Sequence, residues 1–212
     1  MSDTTFDLKT HWEKIYTTKQ LNEVSWYQPV PQTSLHLIEN IQINKDDAII
    51  DIGGGDSFLV DNLLQQGFTD VTVLDISGAA INRAKVRLGD LANKVSWIES
   101  NIIDFNPEKE YALWHDRAAF HFLNQAEDVK KYLQIVSKAM NKDGHMILGT
   151  FSDKGPLKCS GIEITQYTDE SLTSIFSDDF DKINCEYIDH PTPFDTIQNF
   201  VFCTFSKRTA LQ

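Results

Sequence analysis

Cysteine is scarce in this sequence: Cys159, Cys185 and Cys203 are all it has. Three is an odd number and none stands at a metal-ligand spacing, so neither a disulfide framework nor a zinc site is predicted. Reduced thiols in a cytoplasmic setting are the expectation. Basic charge is short as well. Nineteen Lys and Arg stand against 31 Asp and Glu, a formal net charge of -12. A phosphate backbone is repelled by that surplus, which argues against nucleic acid as the main partner. No stretch approaches the ~20 apolar residues of a membrane span, so no membrane partner is expected. Met1-Ser2-Asp3-Thr4-Thr5 lacks the basic and apolar regions of a secretory leader. No internal repeat and no low-complexity linker interrupts the chain.

What is present suffices for one domain with a substantial core: 212 residues, 41% hydrophobic and 11% aromatic. The chain is organised around Ala48-Ile49-Ile50-Asp51-Ile52-Gly53-Gly54-Gly55-Asp56-Ser57. The β-branched run reads as a buried strand, the glycines as a turn, and Ser57 as the cap of a helix over 57–66. Further strands are predicted at Val71 to Leu74, ending at Asp75, at Val95 to Glu99, at Tyr111 to His115 and at His145 to Phe151. Helices are predicted over 6–21, from Pro31, after Ser77, over 126–140 and after Thr168. Two last strands, about 182–188 and 199–206, form a hairpin around His190-Pro191-Thr192-Pro193. Strands alternating with helices predict an α/β fold with a parallel sheet, to which the hairpin adds an antiparallel strand.

The glycine turn does not meet the dinucleotide fingerprint G-x-G-x-x-G, because Phe58 occupies its last position. Asp51 and Asp56 flank the turn, which suits a ligand carrying a positive group rather than a pyrophosphate. Asp75 ends the next strand 24 residues after Asp51. A carboxylate there can accept from both hydroxyls of a ribose. The segment Asp51-x-Gly53-x-Gly55-x-Ser57 resembles motif I of the class I S-adenosylmethionine (SAM)-dependent methyltransferases, usually D-x-G-x-G-x-G, with Ser57 at the last position. The resemblance runs over roughly residues 10–206.

That resemblance implies a three-layer, Rossmann-like sheet of seven strands, mostly parallel, with the seventh reversed. Residues 1–45 become N-terminal helices and lid, 46–151 the SAM-binding core, and 152–212 an acceptor-side insertion and terminal hairpin, all one domain over 1–212. Gly53, Gly54 and Gly55 are expected at the methionine part of SAM, Asp75 and Ile76 at the ribose. Asn101 stands where the family often has an acid. Its carbonyl can still accept from the adenine amino group, with the N–H of Ile102 serving a ring nitrogen. Trp12, Tyr16 and Trp26 are expected to close over the cofactor, and His115 to touch it.

Trp114-His115-Asp116-Arg117 ends the fourth strand, facing the methyl group. An Asp, then Arg or Lys, then a small residue recurs here in the thiopurine, halide and thiol methyltransferases and in small protein-lysine methyltransferases. His115, Asp116 and Arg117 are therefore the expected catalytic residues. His115 or Asp116 takes the acceptor's proton, or Arg117 lowers a thiol's pKa by its charge. The alternative for Asp116-Arg117 is an ion pair holding the next helix. His190 and Gln198 are expected to line the acceptor pocket, and Cys159 to pack its loop. No metal cluster is visible. Three functions follow: a methyltransferase acting on a small-molecule thiol or other S or N acceptor, a protein-lysine methyltransferase, or a SAM-binding regulator without catalysis.

Overall fold

The computed structural model describes residues 6–208. Met1 to Thr5, on which the leader expectation rests, lie outside the described residues. In chain order the helices are α1 (Leu8–Thr18), α2 (Gln32–Asn40), α3 (Leu59–Gln65), α4 (Gly78–Leu88), α5 (Ala126–Ala139) and α6 (Asp169–Phe176). The strands are β1 (Ile49–Ile52), β2 (Val71–Asp75), β3 (Val95–Glu99), β4 (Tyr111–Arg117), β5 (Met140–Phe151), β6 (Lys158–Cys159), β7 (Ile162–Glu163), β8 (Phe180–Pro191) and β9 (Ile197–Lys207).

Seven strands form one sheet in the order β3-β2-β1-β4-β5-β9-β8. The first five are mutually parallel; β9 runs antiparallel to β5, and β8 antiparallel to β9. The expected insertion over 152–167 is not wholly irregular, because β6 and β7 pair in a small hairpin within it.

The period-2 alternation of β1 divides the core. Ile50 and Ile52 join Leu74, Trp114, Tyr132 and Phe176 on the α5–α6 face. Ile49 joins Leu37, Leu59, Leu63, Val73 and Leu113 on the face covered by α2 and α3. Both faces are apolar, so β1 reads as a continuous hydrophobic run. Each of these isoleucines, at most 1% exposed, contributes about 1.5–3 kcal/mol through burial.

Caps fall where the sequence places them. Ser77 Oγ accepts from Ala80 N, and Thr168 Oγ1 from Ser171 N. Ser57 Oγ accepts from Leu59 N, so that helix opens two residues later than expected.

The cysteine expectation is corrected. Cys185 and Cys203 are register partners across β8 and β9, with Cα atoms 4.1 Å apart, and the structure joins them in a disulfide. A two-strand register, invisible to spacing rules, brings them together. Cys159 is free and buried. Among the described residues, Asp169, Cys185 and Cys203 are grouped closely enough to hold a metal ion, but both thiols are spent in the disulfide. No described helix is long and apolar enough to cross a membrane.

Candidate active site

A cleft partly open to solvent lies at the carboxyl ends of β1, β2, β4 and β5. That is where an open α/β sheet binds its ligands. Of the expected site residues, Trp12, Tyr16, Trp26, Asp51, Gly53, Gly54, Asp75, Ile76, Asn101, Ile102, His115 and Arg117 line it. Gly55 and Asp116 do not.

The turn after β1 explains its glycines. Gly53 has φ +66°, a left-handed conformation that side chains resist. A Cβ on Gly54 would strike Asp51 Oδ2, and one on Gly55 would come within 2.7 Å of Asp75 Oδ2. Gly55 is thus small to admit a neighbouring carboxylate, not a ligand. Its N–H donates to Asp75 Oδ2 at 2.9 Å, while Ser77 N donates to Oδ1 at 2.8 Å. Burial pushes Asp75 up to about 6, against the pull of those two N–H groups.

Asp51 is 2% exposed. Its Oδ1 lies 2.6 Å from His115 Nδ1, and His115 Nε2 lies 2.8 Å from Ser34 Oγ on α2. Its other oxygen, Oδ2, is buried without a partner among the described residues. Asp56, expected beside it as a second acid for the ligand, is turned away. Arg83 and Arg87 of α4 hold its carboxylate at 3.1 and 2.8 Å.

Strand alternation separates the expected catalytic trio. His115 and Arg117 are two residues apart on β4 and share the cleft face; Asp116 points to the other. Asp116 is fully buried and accepts from Ala119 N at 2.9 Å, Phe120 N at 3.2 Å and the Tyr132 hydroxyl at 2.8 Å. Tyr132 in turn accepts from Trp114 Nε1. Burial raises Asp116 to about 6. It braces the turn after β4 from beneath, and no ion pair joins it to Arg117 among the described residues. Ala118 takes φ 68° in that turn, which Gly149's carbonyl fixes by accepting from its N–H at 2.8 Å.

Arg117 holds the loop between α1 and α2. Its Nη2 donates to the Trp26 carbonyl at 2.6 Å, and its Nη1 donates to Gln28 Oε1. Gln28 Nε2 donates to His190 Nδ1 at 3.0 Å, and His190 Nε2 to the Ser25 carbonyl at 2.8 Å. Gln198, the cross-strand partner of His190, donates to Ser25 Oγ. His190 therefore clasps the loop from outside the cleft, whereas Gln198 lines it. The loop carries Trp26 against Trp12, with ring centroids 5.6 Å apart, and Tyr16 lies 6.3 Å from Trp26.

Helix α1 is seated on α4. Glu13 accepts from Gly78 N at 2.6 Å, where an acid favours a helix N-terminus. Arg83 donates to the Tyr16 carbonyl at 3.1 Å. Ser25, Gln28, Ser34 and Glu13 are contributors the sequence reading missed. Their partners lie 65 to 173 positions away, and only the polarity of the segments hinted at them. Phe122, Phe151 and Phe200 complete the apolar wall, also unforeseen.

The residues present fit SAM. Asp51 Oδ2 is an acceptor unpaired among the described residues, of the kind an ammonium needs. Asp75 uses one lone pair on each oxygen and keeps others for the ribose hydroxyls. Asn101 Oδ1 accepts only a long 3.4 Å bond from Ile103 N, which leaves it acceptor capacity, and Ile76 and Ile102 supply apolar wall.

Comparison with known proteins gives the family and the fold. The methyltransferase domain family matches over residues 43–200. A malonyl-[acyl-carrier protein] O-methyltransferase from Ilyobacter polytropus is 25% identical over 134 residues, 60% of this chain and 48% of that protein. The chain thus spans about half the length of that relative. A SAM-dependent methyltransferase from Anabaena variabilis superposes with a TM-score of 0.73 at 15% identity, over 98% of both chains. The Burkholderia thailandensis 1,6-didemethyltoxoflavin N1-methyltransferase, solved with that compound and S-adenosylhomocysteine, gives a TM-score of 0.69 at 15% identity, over 98% of this chain and 93% of the other.

Proposed function

This chain belongs to the methyltransferase domain family and has its class I fold, and from that premise we propose that it methylates a small molecule at a sulfur or nitrogen atom. The cofactor is SAM, which supplies a methyl group already activated on a sulfonium. What remains for the protein is to bind, align and keep water out. Asp51 holds the ammonium and Asp75 the ribose, with Asn101 and the Ile102 N–H at the adenine. Trp12, Tyr16 and Trp26 close the mouth. Arg117 stands at the acceptor end.

One observation carries the choice of acceptor. Arg117 is the only Lys or Arg lining the cleft among the described residues. A lysine ammonium delivered there meets a like charge in a low-dielectric site, which costs binding. This disfavours a protein-lysine acceptor. The unpaired Asp51 oxygen and the complete cofactor cradle favour an enzyme over a non-catalytic SAM-binding regulator.

Calorimetry with SAM and S-adenosylhomocysteine tests the cofactor half. A typical micromolar affinity, about -8 kcal/mol, is expected. Incubation of methyl-labelled SAM with a small-molecule panel and a cell lysate, resolved by product size, tests the acceptor half. Label confined to macromolecules would overturn the proposal.

A further inference from the structure

The acceptor's ionisation state can be read from which groups in the cleft are free. His115 has both ring nitrogens engaged, by Asp51 and by Ser34. Asp116 faces the opposite side of the sheet. His121 is fully buried under the wall rather than in the cleft, and burial holds it neutral, down to about 3. Cys159 lines the cleft, but burial pushes its thiol up to about 12. Tyr16 is likewise raised by burial. Asp75 is committed to Gly55, Ser77 and the cofactor side. Among the described residues, no side chain at the acceptor end is free to take a proton.

Two groups there lack partners of the kind they need. Arg117 is half-buried, bonded to Trp26 and Gln28, and forms no ion pair with a carboxylate among the described residues. Gln198 Oε1 is buried with no hydrogen-bond partner among the described residues. They flank one short stretch of chain: Arg117 bonds to residues 26 and 28, and Gln198 to Ser25. A half-buried guanidinium gains most from a charged, bidentate acceptor, and an orphaned amide carbonyl gains from any N–H or O–H.

Resting on the function proposed above, we infer that the acceptor is a small, flat molecule that arrives already as an anion, seated on Arg117, with a neighbouring N–H or O–H donated to Gln198. Thiolates and deprotonated ring N–H groups share this chemistry. Phe122, Phe151 and Phe200 wall the site and suit a flat body. The step balances without a base. A lone pair on the anionic atom forms the new bond to the methyl carbon. The old carbon–sulfur pair stays on sulfur, one negative and one positive charge cancel, and no proton moves.

The experiment is calorimetry on the full chain in two stages at pH 7.5. S-adenosylhomocysteine is titrated first; absence of binding would refute the cofactor reading and this inference together. The protein saturated with it is then titrated with benzoate, 3-hydroxybenzoate, benzamide and benzylamine as probes. Both acids are expected to bind at least ~10-fold tighter than the isosteric amide, the size of one charge-assisted pair, and the amine not at all. The hydroxy acid should exceed benzoate, and Gln198→Leu should erase that difference. Arg117→Gln should erase the preference for acids, and Arg117→Lys should retain part of it. Benzamide equal to benzoate, or Arg117→Gln with an undiminished acid preference, would overturn the inference while leaving SAM binding intact.

Discussion

His115 Nδ1 sits 2.6 Å from Asp51 Oδ1, joining neighbouring strands β1 and β4 at the floor of the cleft. Ser34 completes the chain from α2. On the proposed function His115 lies beneath the cofactor and orients a carboxylate instead of shuttling a proton. The consequence is a stability prediction. His115→Leu leaves Asp51 Oδ1 buried without its hydrogen-bond partner, and should destabilise the fold by about 1–3 kcal/mol and weaken SAM binding. His115→Gln keeps one donor and should lose less than half of that. Urea midpoints of the two variants measure it, and a leucine variant as stable as the parent would remove the pair from the argument.

Much of this site was legible because its signals are local. Asp51, the glycines and Asp75 stand at strand ends fixed by short apolar runs, so sheet order alone brings them together. Asp116 shows where local reading slipped. Strand alternation, available in the sequence, separates it from His115 and Arg117, yet nearness along the chain grouped all three. The clasp of Gln28, His190 and Gln198 was out of reach for another reason. Its members are brought together by the β8–β9 register and the path of the loop, neither of which any short motif encodes. The Cys185–Cys203 disulfide depends on the same register.

Asp75 carries two duties, so its removal should be felt twice. Asp75→Ala deprives the ribose hydroxyls of an acceptor and leaves the N–H groups of Gly55 and Ser77 unsatisfied. SAM affinity should fall by about 2–4 kcal/mol, and stability by a further ~1–3 kcal/mol per orphaned group. The two losses are separated by calorimetry and by chemical denaturation. Unchanged affinity in a folded variant would make Asp75 purely a brace for the glycine turn.

The same residue sets a pH dependence. Its carboxyl lies at about 6 in the fold, raised chiefly by burial and further by Asp51 and Asp56, against 3.8 as reference. The folded state therefore binds the proton more tightly than the unfolded chain. Stability should decline as pH rises from about 4 to about 6 and level off above. Cofactor affinity should move the other way, since the ionised form is the better acceptor, rising through pH 6. Asp116 is also raised to about 6 and shares the stability window. Asp75→Asn should then flatten the affinity profile completely and the stability profile only in part. An affinity profile that keeps its slope in the Asn variant would assign it to another group.

Asp116 itself should behave as a structural residue. Asp116→Ala strips acceptors from Ala119 N, Phe120 N and Tyr132 and should cost about 3 kcal/mol or more in stability. Asp116→Asn keeps an acceptor and should retain turnover within ~3-fold, a change of under about 1 kcal/mol in the barrier. A folded Asn variant without activity would return Asp116 to the chemistry.

Arg117 joins the lid to the acceptor site, and two variants pull those roles apart. Gln28 bonds to both Arg117 and His190 but does not line the main cleft. Gln28→Ala should loosen the loop alone, seen as faster amide exchange over residues 24–28, with turnover of a chosen acceptor kept within ~3-fold. Arg117→Ala frees the Trp26 carbonyl as well and removes the guanidinium from the cleft. It should give the same loosening and, in addition, a fall in methyl transfer of at least ~10-fold, about 1.4 kcal/mol. Arg117→Lys restores charge without the planar fork and should recover only part of the rate. If Gln28→Ala lost as much turnover as Arg117→Ala, the guanidinium would matter only as the latch of the loop. If Arg117→Ala exchanged faster yet turned over fully, the acceptor would be held by Gln198 and the phenylalanine wall without it.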